Sequence, residues 1–143
     1  MGRRVNKSKP DYFASRDASD HNWGRIYEGM VKSSAYQKLS LGARHFFTIC
    51  RIQANTSSAK RTLYNHCGRR SIYEDGGQNK IHILENYFVF PASHLNEYGY
   101  DRSNASKYFK ELKEAGFIDI IESNQHRHQV NVYAFSNRWK TSI

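Results

Sequence analysis

The sequence predicts a mixed α+β fold, with helices first and a β-hairpin last, and three observations lead there. First, residues 91 to 121, PASHLNEYGYDRSNASKYFKELKEAGFIDII, read as a short helix, a tight turn, a longer amphipathic helix and a strand. Second, the alternating run Val130, Val132, Tyr133 and Phe135 follows a polar segment from Ser123 to His128, so two strands meet across a loop. Third, Ala43, Phe46, Phe47 and Cys50 recur at helical spacing between Leu41 and Ala54, enough for a core helix. Two helices about a tight turn, the second with a polar and basic outer face, form the pattern of a helix-turn-helix, and a hairpin behind it makes a wing. The expected architecture is a winged helix-turn-helix, a small helical core with a C-terminal β-hairpin wing.

Taken in order, residues 1–24 are polar, charged and without sustained periodicity, and read as a flexible basic N-terminal tail. The winged-helix domain is expected over 25–143. Ile26 to Val31 reads as an extended lead-in, and Ser33-Ser34-Ala35-Tyr36 as one helical turn. Ser40 is placed to cap the core helix, with Arg44 and Arg51 on its outer side. From Asn55 to Lys80 the chain is polar, turn-rich and basic, and reads as a long basic insertion at about 55–80. A structureless loop of that length is uncommon in a small domain unless it is functional or disordered. Within it Arg61 to Tyr64 suits a short helix, and Glu74-Asp75-Gly76-Gly77 a turn.

Ile81 to Phe90 then reads as a strand able to join the wing in a three-stranded sheet. The first helix of the pair spans Pro91 to Glu97, proline being acceptable in an opening turn. Gly99 supplies the turn and Asp101 caps the second helix, where its carboxylate meets free backbone N–H groups and the positive end of the helix dipole. Ala105, Phe109 and Leu112, with Tyr108 beside them, form one apolar stripe. Gly116 ends the helix, Phe117 to Ile121 reads as a strand, and Trp139 is expected to close the core.

The chain of 143 residues has room for one core and is short for two ordinary domains. No run approaches the ~18 to 20 apolar residues of a membrane span, so no membrane is expected as a partner. MGRRVNKSKP carries charge with no apolar segment behind it and does not read as a secretory signal. Two cysteines, Cys50 and Cys67, make no disulfide framework, which fits a reducing cytoplasm. A formal charge of +9 and a pI near 9.7 point to a polyanionic partner, nucleic acid first. The charge is unevenly spread. Residues 1–25, 26–54 and 55–82 each carry +3, whereas 83–115 hold four basic against five acidic side chains, a net −1. The attraction would therefore come mainly from the flanks of the helix pair.

Ser33-Ser34-Ala35-Tyr36, Leu39-Ser40 with Ala43, the turn before Asp101, the run KELKEAGFI at 110–118, and Asn131-Val132-Tyr133 to Trp139 carry a family likeness. Over roughly residues 26 to 140 the chain resembles the winged-helix proteins of phages, plasmids and other mobile elements, including the DNA-binding part of some replication initiators. The likeness lies in pattern, since KELKEAGFI is common among winged-helix regulators. It implies double-stranded DNA binding, sequence-specific or semi-specific, in transcription control or replication of a mobile element.

On that expectation Arg102, Ser103, Ser106 and Lys107 occupy the turns that enter a major groove, with Arg102 suited to guanine and the serines to bases or phosphate. Asn104 either reads adenine or caps locally, and Lys110 meets phosphate. His126, Arg127 and His128 are expected at the wing tip, against backbone or minor groove. Additional phosphate contacts are assigned to Arg3, Arg4, Lys60, Arg61, Arg69 and Arg70.

Other chemistry finds little in the residues. His66, Cys67 and His82 lack zinc spacing. His126 and His128 straddle an arginine in a predicted loop rather than an apolar residue on a buried strand, so a divalent-ion nuclease is not expected. Gly76-Gly77 lacks the Lys-Ser/Thr of a phosphate loop. No enzyme activity, metal or cofactor is expected. The alternative from another class is a protein-interaction module, a phage or mobile-element factor binding a host protein or nuclease complex. A homodimer stays open, since winged helices often pair, although no heptad marks an interface.

Overall fold

The computed structural model describes residues 23–70, 86–124 and 130–141. Two helical turns, α1 (Glu28–Val31) and α2 (Ser34–Gln37), lead to α3 (Leu41–Gln53) and α4 (Ser57–Arg70). Strand β1 (Tyr87–Val89), α5 (Ala92–Glu97), α6 (Arg102–Ala115), β2 (Ile118–Glu122) and β3 (Val132–Phe135) follow, and a short 3-10 turn spans Arg138–Thr141. The result is a mixed α+β fold with a three-stranded antiparallel sheet in the order β1-β3-β2.

Helix starts follow side-chain chemistry. The Ser33 hydroxyl accepts from the Tyr36 N–H, and the Ser40 hydroxyl from the Ala43 N–H, each satisfying a donor that the first turn leaves free. At α6 the bond is reciprocal: the Asp101 carboxylate accepts from the Asn104 N–H while the Asn104 amide oxygen accepts from the Asp101 N–H, both at 2.9 Å. Gly99 and Gly116 have φ of 86° and 90°, the left-handed region that side chains with a Cβ avoid, so glycine marks both ends of the α6 unit.

The core is aromatic. Phe46 of α3 has the rings of Phe109 at 4.9 Å, Tyr100 at 5.0 Å and Phe90 at 5.7 Å around it. Phe109 of α6 stacks on Tyr133 of β3 at 4.0 Å, joining this helix to the sheet. Strand alternation decides which face meets which layer. Phe88 and Tyr133 are cross-strand partners facing the α3–α6 core, and their neighbours Val89 and Val132 pair on the opposite face. Trp139 stacks on Phe117 at 5.7 Å and donates its N–H to the Gly116 carbonyl, closing the end of α6.

Two expectations change. Ile26 to Val31 is not extended throughout, because α1 occupies Glu28–Val31 and its turn buries Met30. The stretch expected as an insertion is, over Ser57–Arg70, a helix of 14 residues. Thr56 starts it by accepting from the Ala59 N–H, and Ala59 and Leu63, four residues apart, are buried. Leu63 fills the outer face of the sheet against Val89 and Val132. The sheet is thereby sandwiched, with the α3–α6 core on one face and α4 on the other. The strand expected from Ile81 is seen only over Tyr87–Val89; 81–85 and 71–80 lie outside the described residues, as do residues 1–22 of the expected tail.

No helix among the described residues is long and apolar enough to cross a membrane. Cys50 is buried in the core, and burial pushes its thiol well above the ordinary value. It acts there as a small apolar side chain.

Candidate nucleic-acid interface

Helix α6 carries six of the nine residues expected to make the main contacts. Ala105, Phe109 and Leu112 are buried, which fixes the helix rotation and turns Arg102, Ser103, Ser106, Lys107 and Lys110 to the exposed side. Among the described residues neither Arg102, Lys107 nor Lys110 forms an ion pair with a carboxylate. The Lys107 ammonium lies 5.1 Å from the centroid of the Tyr108 ring, with Tyr108 only partly exposed. Asn104 does the second of the two things expected of it, its amide oxygen capping the helix, while the side chain is exposed.

Two of the acidic residues that dilute this unit, Asp101 and Glu111, have structural work. Asp101 caps α6. Glu111 accepts from both the N–H and the hydroxyl of Ser40, so its charge is directed at the start of α3. The net −1 over 83–115 therefore overstates the negative charge on the exposed face of α6.

The connection between β2 and β3 is clasped at its base. The Asn131 amide oxygen accepts from the Asn124 N–H at 2.6 Å, and the Asn124 amide donates to the Val130 carbonyl at 2.8 Å. Asn124 is 2% exposed, so both of its polar bonds are made away from solvent, where leaving them unmade is costly. Asn131 also donates to the Tyr133 hydroxyl at 3.2 Å. Burial raises the Tyr133 phenol, partly offset by that hydrogen bond and by the nearby positive charge of Arg102. The clasp thus sits beside the N-terminal end of α6. Sequence reasoning missed it because the Asn124–Asn131 pairing joins a strand end to a loop across the connection. His126, Arg127 and His128, expected at the tip, lie outside the described residues.

The remaining predicted contacts scatter. Lys60 and Arg61 are exposed on α4, away from the outer face of α6. Arg69 and Arg70 belong to the last turn of α4, with side chains outside the description, and Arg3 and Arg4 fall in residues 1–22. His66 is held by Glu122 at 2.7 Å rather than set in a ligand cluster. Among the described residues no group of three or more His, Cys, Asp or Glu side chains could hold a metal ion.

Comparison of the chain with known protein families, with curated proteins and with solved structures finds no match.

Proposed function

We propose that the chain binds double-stranded DNA as a winged helix-turn-helix, with α5 and α6 as the helix pair and the β2–β3 connection as the wing. The observation carrying this reading is the outer face of α6, where Arg102, Ser106, Lys107 and Lys110 are exposed together, with Arg102 near Tyr133 and the Asn131 that bonds it. A helix of 14 residues is about 21 Å long, enough to lie along a major groove with its first turns at base edges. Arg102 is the guanine-reading side chain on this account, and Lys110, two turns later, meets phosphate. The likeness of residues 110–118 to winged-helix regulators supports a role in transcription control or replication of a mobile element, in the cytoplasm.

NMR amide shifts during titration with a short duplex test this reading. The largest changes are expected at residues 101–110 and around the connection after Glu122. Changes confined to α4 and α3 would contradict it.

A protein-interaction module is the second reading. It is favoured by the net −1 over 83–115, which leaves the helix pair outside the basic parts of the chain. Duplex binding unaffected by reversing Arg102 and Lys107 would move the assignment there.

A further inference from the structure

Behind the sheet, on the α4 side, an open groove of about 860 Å³ runs between the ends of α3 and β3, α4 and the start of β1. A second hollow of about 500 Å³ continues it toward the C-terminal 3-10 turn, the two sharing Arg51, Asn86 and Phe135. Neither is lined by any residue of α6, so this surface is separate from the duplex-binding face proposed above. Its chemistry is one-sided. Arg51, Lys60, Arg61 and Lys140 line it, and among the described residues no carboxylate does. Aromatic rings alternate with these cations: Tyr64 is 68% exposed, Tyr27 is 56% exposed, and Trp139 lies at the far end. Arg51 is held in place, its guanidinium 4.5 Å from the Phe135 ring and its Nε donating to the Arg25 carbonyl. The Asn55 and Asn86 amides, also in the lining, are held by donating to the Trp23 and Phe135 carbonyls.

We propose that this groove holds a short segment of single-stranded nucleic acid, with phosphates on Lys60, Arg61 and Lys140 and an unpaired base stacked on Tyr64. Cations interleaved with exposed aromatic rings are what a backbone-tracking, base-stacking site requires. A duplex keeps its base faces inside the stack, so it offers nothing for Tyr64 to cover. An acidic peptide would satisfy the cations and leave the exposed face of Tyr64 without the flat partner that an unpaired base supplies.

The test is fluorescence-anisotropy binding of an oligothymidine of about 12 nucleotides to the full chain, across a salt series. Tyr64→Ala should weaken binding by roughly 5- to 100-fold, while Tyr64→Phe, which keeps the stacking face, should bind as the wild type does. Lys60→Gln with Arg61→Gln should flatten the log–log salt slope by about 1.4, since each phosphate contact on a single strand accounts for about 0.7. The α6 pair Arg102→Glu/Lys107→Glu should keep its oligothymidine affinity, which separates a failure here from a failure of the duplex reading. Wild-type affinity in both Tyr64→Ala and the glutamine pair would overturn the proposal. Polyglutamate competing as well as oligothymidine, or loss of binding only in the α6 pair, would overturn it too.

Discussion

Glu111 of α6 accepts two hydrogen bonds from Ser40, the N-cap of α3, one from the backbone N–H at 2.7 Å and one from the hydroxyl at 2.8 Å. The same hydroxyl accepts from the Ala43 N–H, so one serine starts α3 and fastens it to the helix that presents Arg102 and Lys107. The pairing is exposed, so water screens it, yet it is charge-assisted and doubly bonded. Glu111→Ala is expected to lower stability by about 1 kcal/mol in urea denaturation. Glu114→Ala, one turn-face away and with no such bond, should stay within about 0.5 kcal/mol. Equal effects at the two positions would remove Glu111 from this role.

Helix α4 should behave as part of the fold. Leu63 is 5% exposed and packs on Val89 and Val132. Leu63→Ala is expected to cost about 2 kcal/mol, near the low end for a buried leucine because the cluster is small. Tyr64→Ala, next to it but exposed, should cost less than about 0.5 kcal/mol. A negligible effect at Leu63 would make α4 a loosely attached appendage.

The His66–Glu122 bond fastens the same helix to β2 at 2.7 Å, with side chains only 10% and 20% exposed. His66→Ala leaves a carboxylate in a half-buried place with one fewer partner. A loss of roughly 1 to 3 kcal/mol is expected. Hydrogen exchange should show α4 amides losing more protection than those of α3.

Gly116 is expected to tolerate no side chain. Its φ of 90° disfavours any L residue, and an added Cβ would meet the Trp139 backbone nitrogen at 2.7 Å. The conformational part alone costs about 1 to 2 kcal/mol, so thermal unfolding of Gly116→Ala should show a loss at or above that. An unchanged melting temperature would mean that the 3-10 turn moves away freely.

Alkaline pH should destabilise the chain. Burial raises the Cys50 thiol and the Tyr133 phenol above their ordinary values of 9.0 and 10.0. Both groups hold their protons more tightly when folded than when unfolded. Their contribution is therefore full below pH 9.0 and declines as pH rises through the raised folded values. Peptide-level mass spectrometry after alkylation at neutral pH should find Cys50 unmodified in the native chain and modified in urea. Rapid native modification would contradict its burial.

Much of this arrangement was legible in local signals. Asp101, Gly116 and the 105–109–112 stripe define α6 by short-range chemistry, and Ser40 with Phe46, Phe47 and Cys50 defines α3 in the same way. Helix α4 was legible only as a short turn at Arg61 to Tyr64, because its buried stripe contains Ala59, Leu63 and half-buried His66, a single large apolar residue among polar ones. What orders it is the outer face of a sheet whose strands come later in the chain. The α1 turn failed similarly, since only the burial of Met30 marks it. At the site, the exposed face of α6 could be read from periodicity. The capping use of Asn104, the anchoring use of Glu111 and the Asn124–Asn131 clasp depend on partners that spacing does not specify.

On the proposed function, the outer face of α6 docks on duplex DNA. The most direct measurement is binding to random-sequence duplex across a salt series, for the wild type and for Arg102→Glu/Lys107→Glu. About 4 to 6 phosphate contacts predict a log–log slope near −4 to −5 for the wild type, with sharply weaker binding and a shallower slope in the variant. A variant that binds with the wild-type affinity and slope would contradict the claim and leave duplex attraction to the basic flanks.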